Sequence, residues 1–174
     1  MRVYRAVLLV SVLLVPVLLG GCVDTAGKLE VDPNAAVEAV KVVAMPGTNI
    51  AAAPLSIERL EGLSPEQTAA FVAELQKQAS GRQVAFAEGK KAKYLAQGYI
   101  SAFTVGAATR FIYVWDVFDA SQHLRQRVSD AVIVQGAAPE PMALLSLEVS
   151  NALAAKSAED LAAVLSNMPE ARGK

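Results

Sequence analysis

The sequence predicts an α+β domain, in which a small mixed or antiparallel sheet of about five strands carries two main helices on one face. Two observations support this fold class. Segments rich in β-forming residues cluster between residues 84 and 134 and are joined by short, turn-rich connections. Segments with helical spacing of apolar residues flank that cluster, one at 64–81 and one at 142–168.

A short strand is predicted at the start of the domain. Leu55, Ile57 and Leu60 alternate imperfectly with polar residues, and Gly62 follows them as a stop. A second, brief strand is predicted at 84–86, after the first helix.

The first helix has clear signals at both ends. Ser64 can cap the free backbone amides, Pro65 stands where no amide is needed, and Gln67 can complete a capping box. Gly81 is well placed as the C-terminal stop. One face of this helix carries Thr68, Val72, Leu75 and Ala79.

Three longer strands are expected at 94–105, 110–118 and 124–134. The connections at 106–109 and 119–122 are short and suit hairpins, so the three strands should form an antiparallel meander. One face of the middle strand supplies core residues, namely Phe111, Tyr113, Trp115 and Val117. The third strand is expected to place Leu124, Val128, Val132 and Val134 on its buried face and His123, Arg125, Arg127 and Ser129 on its exposed face.

A long terminal helix is predicted between Met142 and Met168, and Pro169 ends it. Its apolar stripe consists of Leu147, Asn151, Ala154, Ala158, Leu161 and Leu165. Residues 169–174 are expected to form a disordered tail.

The amino terminus has the order of a secretory signal. Arg2 and Arg5 precede an uncharged run at 6–19, and small residues follow it. A membrane-spanning helix needs about 20 apolar residues. The run is shorter than that and contains Pro16, so a signal peptide is favoured over a spanning helix.

The end of this signal, Leu19-Gly20-Gly21-Cys22, resembles the lipobox of bacterial lipoproteins. The resemblance implies cleavage between Gly21 and Cys22, and lipid with acyl chains such as palmitate on the Cys22 thiol. The alternative is an ordinary signal peptide followed by a chance cysteine. Cys22 is the only cysteine of the chain, so no internal disulfide can form. Val23 follows it rather than an aspartate, which favours the outer over the inner membrane.

The chain after the signal divides into a tether and one domain. Residues 22–53 lack aromatic residues and are predicted to be a flexible tether, although 35–45 fits either a short helix or a strand. Residues 54–168 form the single α+β domain. Loss of residues 1–21 leaves 14 Lys and Arg against 17 Asp and Glu, a formal charge of −3. This balance argues against nucleic acid as a partner, since the lysines at 90, 91 and 93 form only one short cluster.

Two strand sequences resemble the paired strands of the TolB amino-terminal superfamily: KYLAQGYI at 93–100 and YVWDVFDA at 113–120. The superfamily includes the curli-secretion lipoprotein and lipoproteins that activate penicillin-binding proteins. The resemblance extends over roughly residues 55–165. Residues 113–119 are also similar to alphaproteobacterial lipoproteins of uncharacterised function. The resemblance implies an accessory role in the envelope.

Catalysis and cofactor binding have little support in the sequence. His123 is the only histidine, and no nucleophile motif accompanies it. Asp116 and Asp119 are an odd number of positions apart on a strand, which points them to opposite faces, and Asp119 fits a turn cap. No metal-ligand cluster or phosphate-binding loop is present. We therefore expect neither an enzyme nor a cofactor.

These observations predict a lipid-anchored periplasmic accessory protein that binds an envelope-assembly or transport protein. The candidate partner surface consists of Tyr99, Arg125 and Arg127. The alternative is a lipoprotein that binds lipid or another small ligand, which would need an apolar cavity between sheet and helices.

Overall fold

The computed structural model describes residues 39–173. In this range the chain forms four strands and two helices, in the order β1 (Leu55–Glu61), α1 (Pro65–Ser80), β2 (Tyr94–Val105), β3 (Ala108–Asp119), β4 (Leu124–Gln135) and α2 (Leu147–Ser166). Short 3-10 turns occupy Ile50–Ala52, Gly89–Lys91 and Pro141–Leu144. The predicted α+β class is confirmed.

The sheet is mixed, with the strand order β1-β2-β3-β4. β1 and β2 are parallel, and α1 is the crossover between them. β2, β3 and β4 form the predicted antiparallel meander. Side chains of both helices and of one sheet face form a continuous hydrophobic core.

The predicted strand at 84–86 is reduced to a single bridge between Phe86 and Leu55. Two backbone hydrogen bonds hold it, from Leu55 N to Ala85 O at 2.9 Å and from Ala87 N to Leu55 O at 2.9 Å. The chain then turns away at Gly89. The described sheet therefore has four strands rather than about five.

The helix termini follow the local signals. Ser64 and Gln67 form the predicted capping box of α1. α2 begins later than predicted, because residues 141–144 form a 3-10 turn and Ser146 accepts a hydrogen bond from the Val149 amide. α2 ends at Ser166.

Close packing of Gly98 and Trp115 marks the centre of the core. The two residues are directly opposite in the β2–β3 register, and Trp115 is fully buried. A Cβ at position 98 would lie 2.5 Å from Trp115 Cζ3, so only glycine fits beneath the ring. The space between sheet and helices is thus filled by side chains.

A β-bulge changes the predicted faces of β4. Val117 pairs with Gln126 but Phe118 pairs with Leu124, so Arg125 is the extra residue. Because of the extra residue, the side chain of Leu124 points to the sheet face opposite to the one that regular alternation would give it. Leu124 is consequently 52% exposed and does not share the buried face of Val128, contrary to the predicted stripe.

The described part of the predicted tether packs against the domain. Ala53 is fully buried, and Asn49 N donates to Ala171 O at 2.8 Å. Met45 N donates to Ser166 Oγ at 2.8 Å, and Asn167 Nδ2 donates to Val43 O at 2.8 Å. The ordered contacts of the domain therefore begin before residue 54, the boundary expected from the sequence.

The carboxyl end also contacts the domain, although the sequence suggests a tail at 169–174. Ala171 is 1% exposed and accepts the hydrogen bond from Asn49. The predicted signal peptide, Cys22 and residues 22–38 of the predicted tether lie outside the described residues. Between residues 39 and 173, no helix has the length and apolar character required to cross a bilayer.

Candidate functional site

The two faces of the sheet differ in what covers them. One face contributes to the core beneath the helices. The opposite face, which we call the open face, packs under neither α1 nor α2. It is formed by alternate residues of the meander, namely Leu95, Gln97, Tyr99, Phe103, Arg110, Ile112, Val114, Asp116, Phe118, Arg127, Ser129 and Ile133. Ile112 is buried to 6% exposure by its neighbours, yet it does not belong to the main core cluster.

One ion pair lies towards the end of the open face that is next to the β3–β4 turn. Asp116 and Arg127 are cross-strand neighbours, and Arg127 donates from Nε to Oδ1 and from Nη2 to Oδ2, each at 2.6 Å. The hydrogen bond with Asp116 raises the pKa of Arg127. The Asp116 side chain is 8% exposed and the Arg127 side chain 58%, so a partner can reach the guanidinium but not the carboxylate.

Of the three residues predicted as a partner surface, the structure brings two together. Tyr99 is on the open face. Its row of paired residues, Tyr99–Val114–Ser129, is next to the row Gln97–Asp116–Arg127 on that face. Arg125 is in the bulge and lines a groove of about 310 Å³ with Val164 and Met168 of the α2 end. The bulge therefore separates Arg125 from Tyr99 and Arg127.

The other end of the open face carries a feature that the sequence did not indicate. Arg110 lies between its cross-strand neighbours Phe103 and Ile133. Its guanidinium carbon is 6.0 Å from the centre of the Phe103 ring, and its buried Nε has no hydrogen-bond partner among residues 39–173. Arg110 takes part in none of the ion pairs formed within residues 39–173. Ile133 is 57% exposed, so an unpaired cation is flanked by accessible apolar surface.

Two of the residues considered for catalysis lie together at the turn after β3, where His123 Nδ1 is 3.5 Å from Asp119 Oδ1, whereas Asp116 pairs with Arg127. Asp119 accepts backbone hydrogen bonds from Ser121 at 2.8 Å and His123 at 3.1 Å, as a turn cap should, and these bonds lower the pKa of Asp119. The His123 side chain is 78% exposed. Within the part of the chain that the structure describes, no group of three or more His, Cys, Asp and Glu residues is arranged to hold a metal ion.

Several grooves lie at the margins of the sheet, where β1 meets α1 and where β4 meets α2. One of about 780 Å³ runs beside the free edge of β1, with Ile57, Val72 and Phe86 among its lining residues. The helix–sheet interface itself is occupied by Trp115, Tyr113 and Phe111, each fully buried. This filling opposes the alternative in which a ligand occupies that interface.

A polar network, also missed by sequence reasoning, joins four parts of the chain. Tyr113 Oη donates to Asp160 Oδ2 at 2.5 Å beneath α2. Lys41 Nζ donates to Asp160 Oδ1 at 3.2 Å and to Asp130 Oδ2 at 2.7 Å, and Lys156 also pairs with Asp130. The sequence signal for this network is Asp160, an acidic residue between the apolar positions Ala158 and Leu161 of α2, but its partners are distant in the chain.

The protonation states of this network follow from burial and pairing. Burial, together with the hydrogen bond to Asp160, raises the pKa of Tyr113. Burial alone would raise the pKa of Asp130, but its bonds with Lys156 and Lys41 outweigh burial and lower the pKa to about 2. Burial likewise opposes the charge on Lys41, yet its bonds to Asp130 and Asp160 raise its pKa. Lys41 and Asp130 are therefore charged at neutral pH.

Comparison with known proteins gives limited similarity. No family model matches the chain, and no curated protein matches it. Among solved structures, the chain is similar to a PelC dodecamer from Paraburkholderia phytofirmans, at 9% identity and a TM-score of 0.46 over 75% of this chain and 96% of that one. It is similar to a PelC variant dodecamer from the same organism, at 11% identity and a TM-score of 0.45 over 74% of this chain and 94% of that one.

Proposed function

We propose that this protein is a lipid-anchored, non-catalytic accessory protein that faces the periplasm and binds an envelope-assembly or transport protein. Lipid on Cys22 would hold it on a membrane, with the outer membrane favoured over the inner. The partner would bind the open face. The single observation that carries the binding proposal is this face itself, whose apolar side chains no helix of residues 39–173 covers.

The energetic argument concerns apolar surface. Removal of apolar area from water contributes about 25 cal/mol per Å², and contiguous apolar patches on soluble domains often mark interaction sites. Leu95, Phe103, Val114 and Phe118 are partly exposed on this face, and Ile133 is exposed. A partner that covers them would gain free energy without any rearrangement of the core.

Charge indicates the chemistry of the partner. Arg127 is paired with Asp116, so it adds little net charge to the face. Arg110 has no carboxylate partner within the described chain and lies among apolar side chains. A guanidinium in such surroundings favours a carboxylate, because charge-assisted hydrogen bonds are strongest where water is displaced. The best fit is a protein surface that presents an acidic side chain within an apolar patch.

Variants of the open face test the proposal in living cells. Ile133→Asp places a negative charge where the carboxylate of the partner would approach, so the two charges repel each other. Arg110→Ala removes the guanidinium proposed to bind that carboxylate. Leu147→Asp is the matched control, since Leu147 is 73% exposed at the start of α2, away from this face. We expect both open-face variants to lose a crosslinked partner that the parent and the control retain, at equal protein levels. Retention of the same partner by all three variants would place the binding surface elsewhere.

A further inference from the structure

The segment from residue 39 to residue 48, which we call the strap, crosses the domain from the free edge of β4 to the end of α2. At β4, Ser129 N donates to Val40 O at 3.2 Å and Val40 N donates to Ser129 Oγ at 3.2 Å. At α2, the bonds of Met45 with Ser166 and of Val43 with Asn167 hold the other end. The strap thus covers part of an edge strand that would otherwise present free backbone groups.

Lys41 holds the middle of the strap against the domain through two ion pairs. Its ammonium group bridges Asp130 and Asp160, which belong to β4 and α2. The Lys41 side chain is 48% exposed, whereas the Asp130 and Asp160 side chains are 14% and 4% exposed, so water and salt reach this bridge from the lysine side. Ion pairs with such access are weakened by ionic strength.

Apolar burial contributes little to the docking of the strap. Val43 is 87% exposed and Val40 is 43% exposed, and only Val42 packs against the core cluster. Val42 also borders two unfilled grooves, of about 310 Å³ and about 550 Å³. Polar contacts therefore contribute most of the docking of the strap, with Val42 as its one apolar contact to the core cluster.

A firm attachment begins immediately after the strap. The Asn49 amide donates a hydrogen bond to the Ala171 carbonyl oxygen, Ile50 packs against the core, and Ala53 is fully buried. Between this attachment and Met45, the chain turns at Pro46 and Gly47, and Gly47 has a φ of +72° with open space around its Cα. Glycine tolerates this conformation without strain. The turn supplies a hinge at which the strap can separate from the domain.

We infer that the strap can detach from β4 and α2, and that its docking or release sets how far the domain extends from its membrane anchor. The inference rests on the proposed lipidation of Cys22. With the strap docked, the 17 Cα–Cα steps from Cys22 to Ala39 can span at most about 60 Å. With the strap released, the 27 Cα–Cα steps from Cys22 to Asn49 can span at most about 95 Å. Release would therefore extend the maximum reach of the open face by about 35 Å.

Hydrogen exchange on the full processed chain tests whether the strap detaches. Lys41→Ala should increase exchange at least about tenfold at the Met45 and Ser129 amides, whereas amides of Trp115 and Leu161 keep their protection. Lys41→Arg should restore slow exchange, because it retains the charge. Lys77→Ala is the control, since Lys77 forms an exposed ion pair with Glu74 on α1. Unchanged exchange at both strap-linked amides in Lys41→Ala would overturn the inference.

Energy transfer measures the reach. The lipidated protein would be reconstituted in vesicles of phosphatidylethanolamine and phosphatidylglycerol, with a donor on the domain and acceptor lipids in the bilayer. Lys41→Ala should reduce transfer relative to the parent and to Lys77→Ala, and equal transfer would overturn the effect on reach. If the parent does not bind the vesicles, the proposed anchorage is wrong and the effect on reach falls with it. The exchange result then still decides whether the strap detaches.

Discussion

The packing of Gly98 against Trp115 predicts a strong coupling between two substitutions. In Gly98→Ala, the new Cβ would lie 2.5 Å from Trp115 Cζ3 and 2.7 Å from both Trp115 Cη2 and Leu60 Cδ1. Trp115 is fully buried and cannot retreat into solvent. Overpacking of a filled core costs about 1 to 3 kcal/mol, so Gly98→Ala should lower the free energy of unfolding by that amount.

Trp115→Ala should cost more by itself, about 3 to 5 kcal/mol, because it leaves a cavity beneath the helices. In the double variant the methyl group of residue 98 occupies part of that cavity instead of meeting the ring. Leu60 Cδ1, the remaining close contact, belongs to a partly buried side chain that can move into the same cavity. The additional cost of Gly98→Ala should then be much smaller than in the parent, which makes the two substitutions non-additive by about 1 to 3 kcal/mol.

Urea unfolding followed by circular dichroism measures these free energies. Fluorescence cannot follow the series in the same way, because Trp115 is the only tryptophan. Gly81→Ala is the control, since Gly81 is in a helical conformation and its Cβ would meet only ordinary contact at 3.5 Å. Additive effects of Gly98→Ala and Trp115→Ala, within about 0.5 kcal/mol, would refute this account of the core.

Three further predictions concern the anchor, the polar network and the open face. Cys22→Ser should abolish lipid attachment and membrane retention; a fractionation in which the variant remains acylated and membrane-bound contradicts the lipoprotein proposal. Asp130 is charged in the folded protein down to a pKa of about 2, below its usual 3.8. Its pairing should therefore contribute about 1 to 2 kcal/mol above pH 4 and lose that contribution as the pH falls towards 2. Thermal melts of the parent and Asp130→Asn should converge towards pH 2, and a constant difference from pH 6 to 2 would exclude this linkage. Arg127→Ala should cost about 1 to 3 kcal/mol, because it leaves the Asp116 carboxylate without its partner. Adding Asp116→Asn should recover part of that loss in urea unfolding, and no recovery would show that the pair is not the cause.

Local signals made several elements predictable from the sequence. The α1 capping box depends on Ser64, Pro65 and Gln67, which are adjacent in the chain, and the structure forms it. The middle strand is almost entirely apolar, and its predicted core residues Phe111, Tyr113, Trp115 and Val117 are fully buried. Such features need only neighbouring residues, so periodicity and capping rules suffice.

Features that depend on distant partners were not predictable in the same way. The bulge at Arg125 arises from the pairing of β4 with β3, and one extra residue was enough to separate Arg125 from Tyr99 and Arg127. The docking of residues 39–48 depends on Asp160, Ser166 and Asn167, more than a hundred positions away. Composition at 22–53 shows that aromatic residues are lacking, but it does not reveal polar contacts formed across the fold.

Site-specific photocrosslinking in living cells tests the proposed function most directly. A photoreactive phenylalanine analogue would replace Tyr99 on the open face or, as the control, the exposed Ala73 on α1. We predict a discrete crosslinked protein from position 99 that Arg110→Ala removes, and no such species from position 73. A partner captured from position 73 but not from position 99 would contradict the proposal that the open face binds the partner.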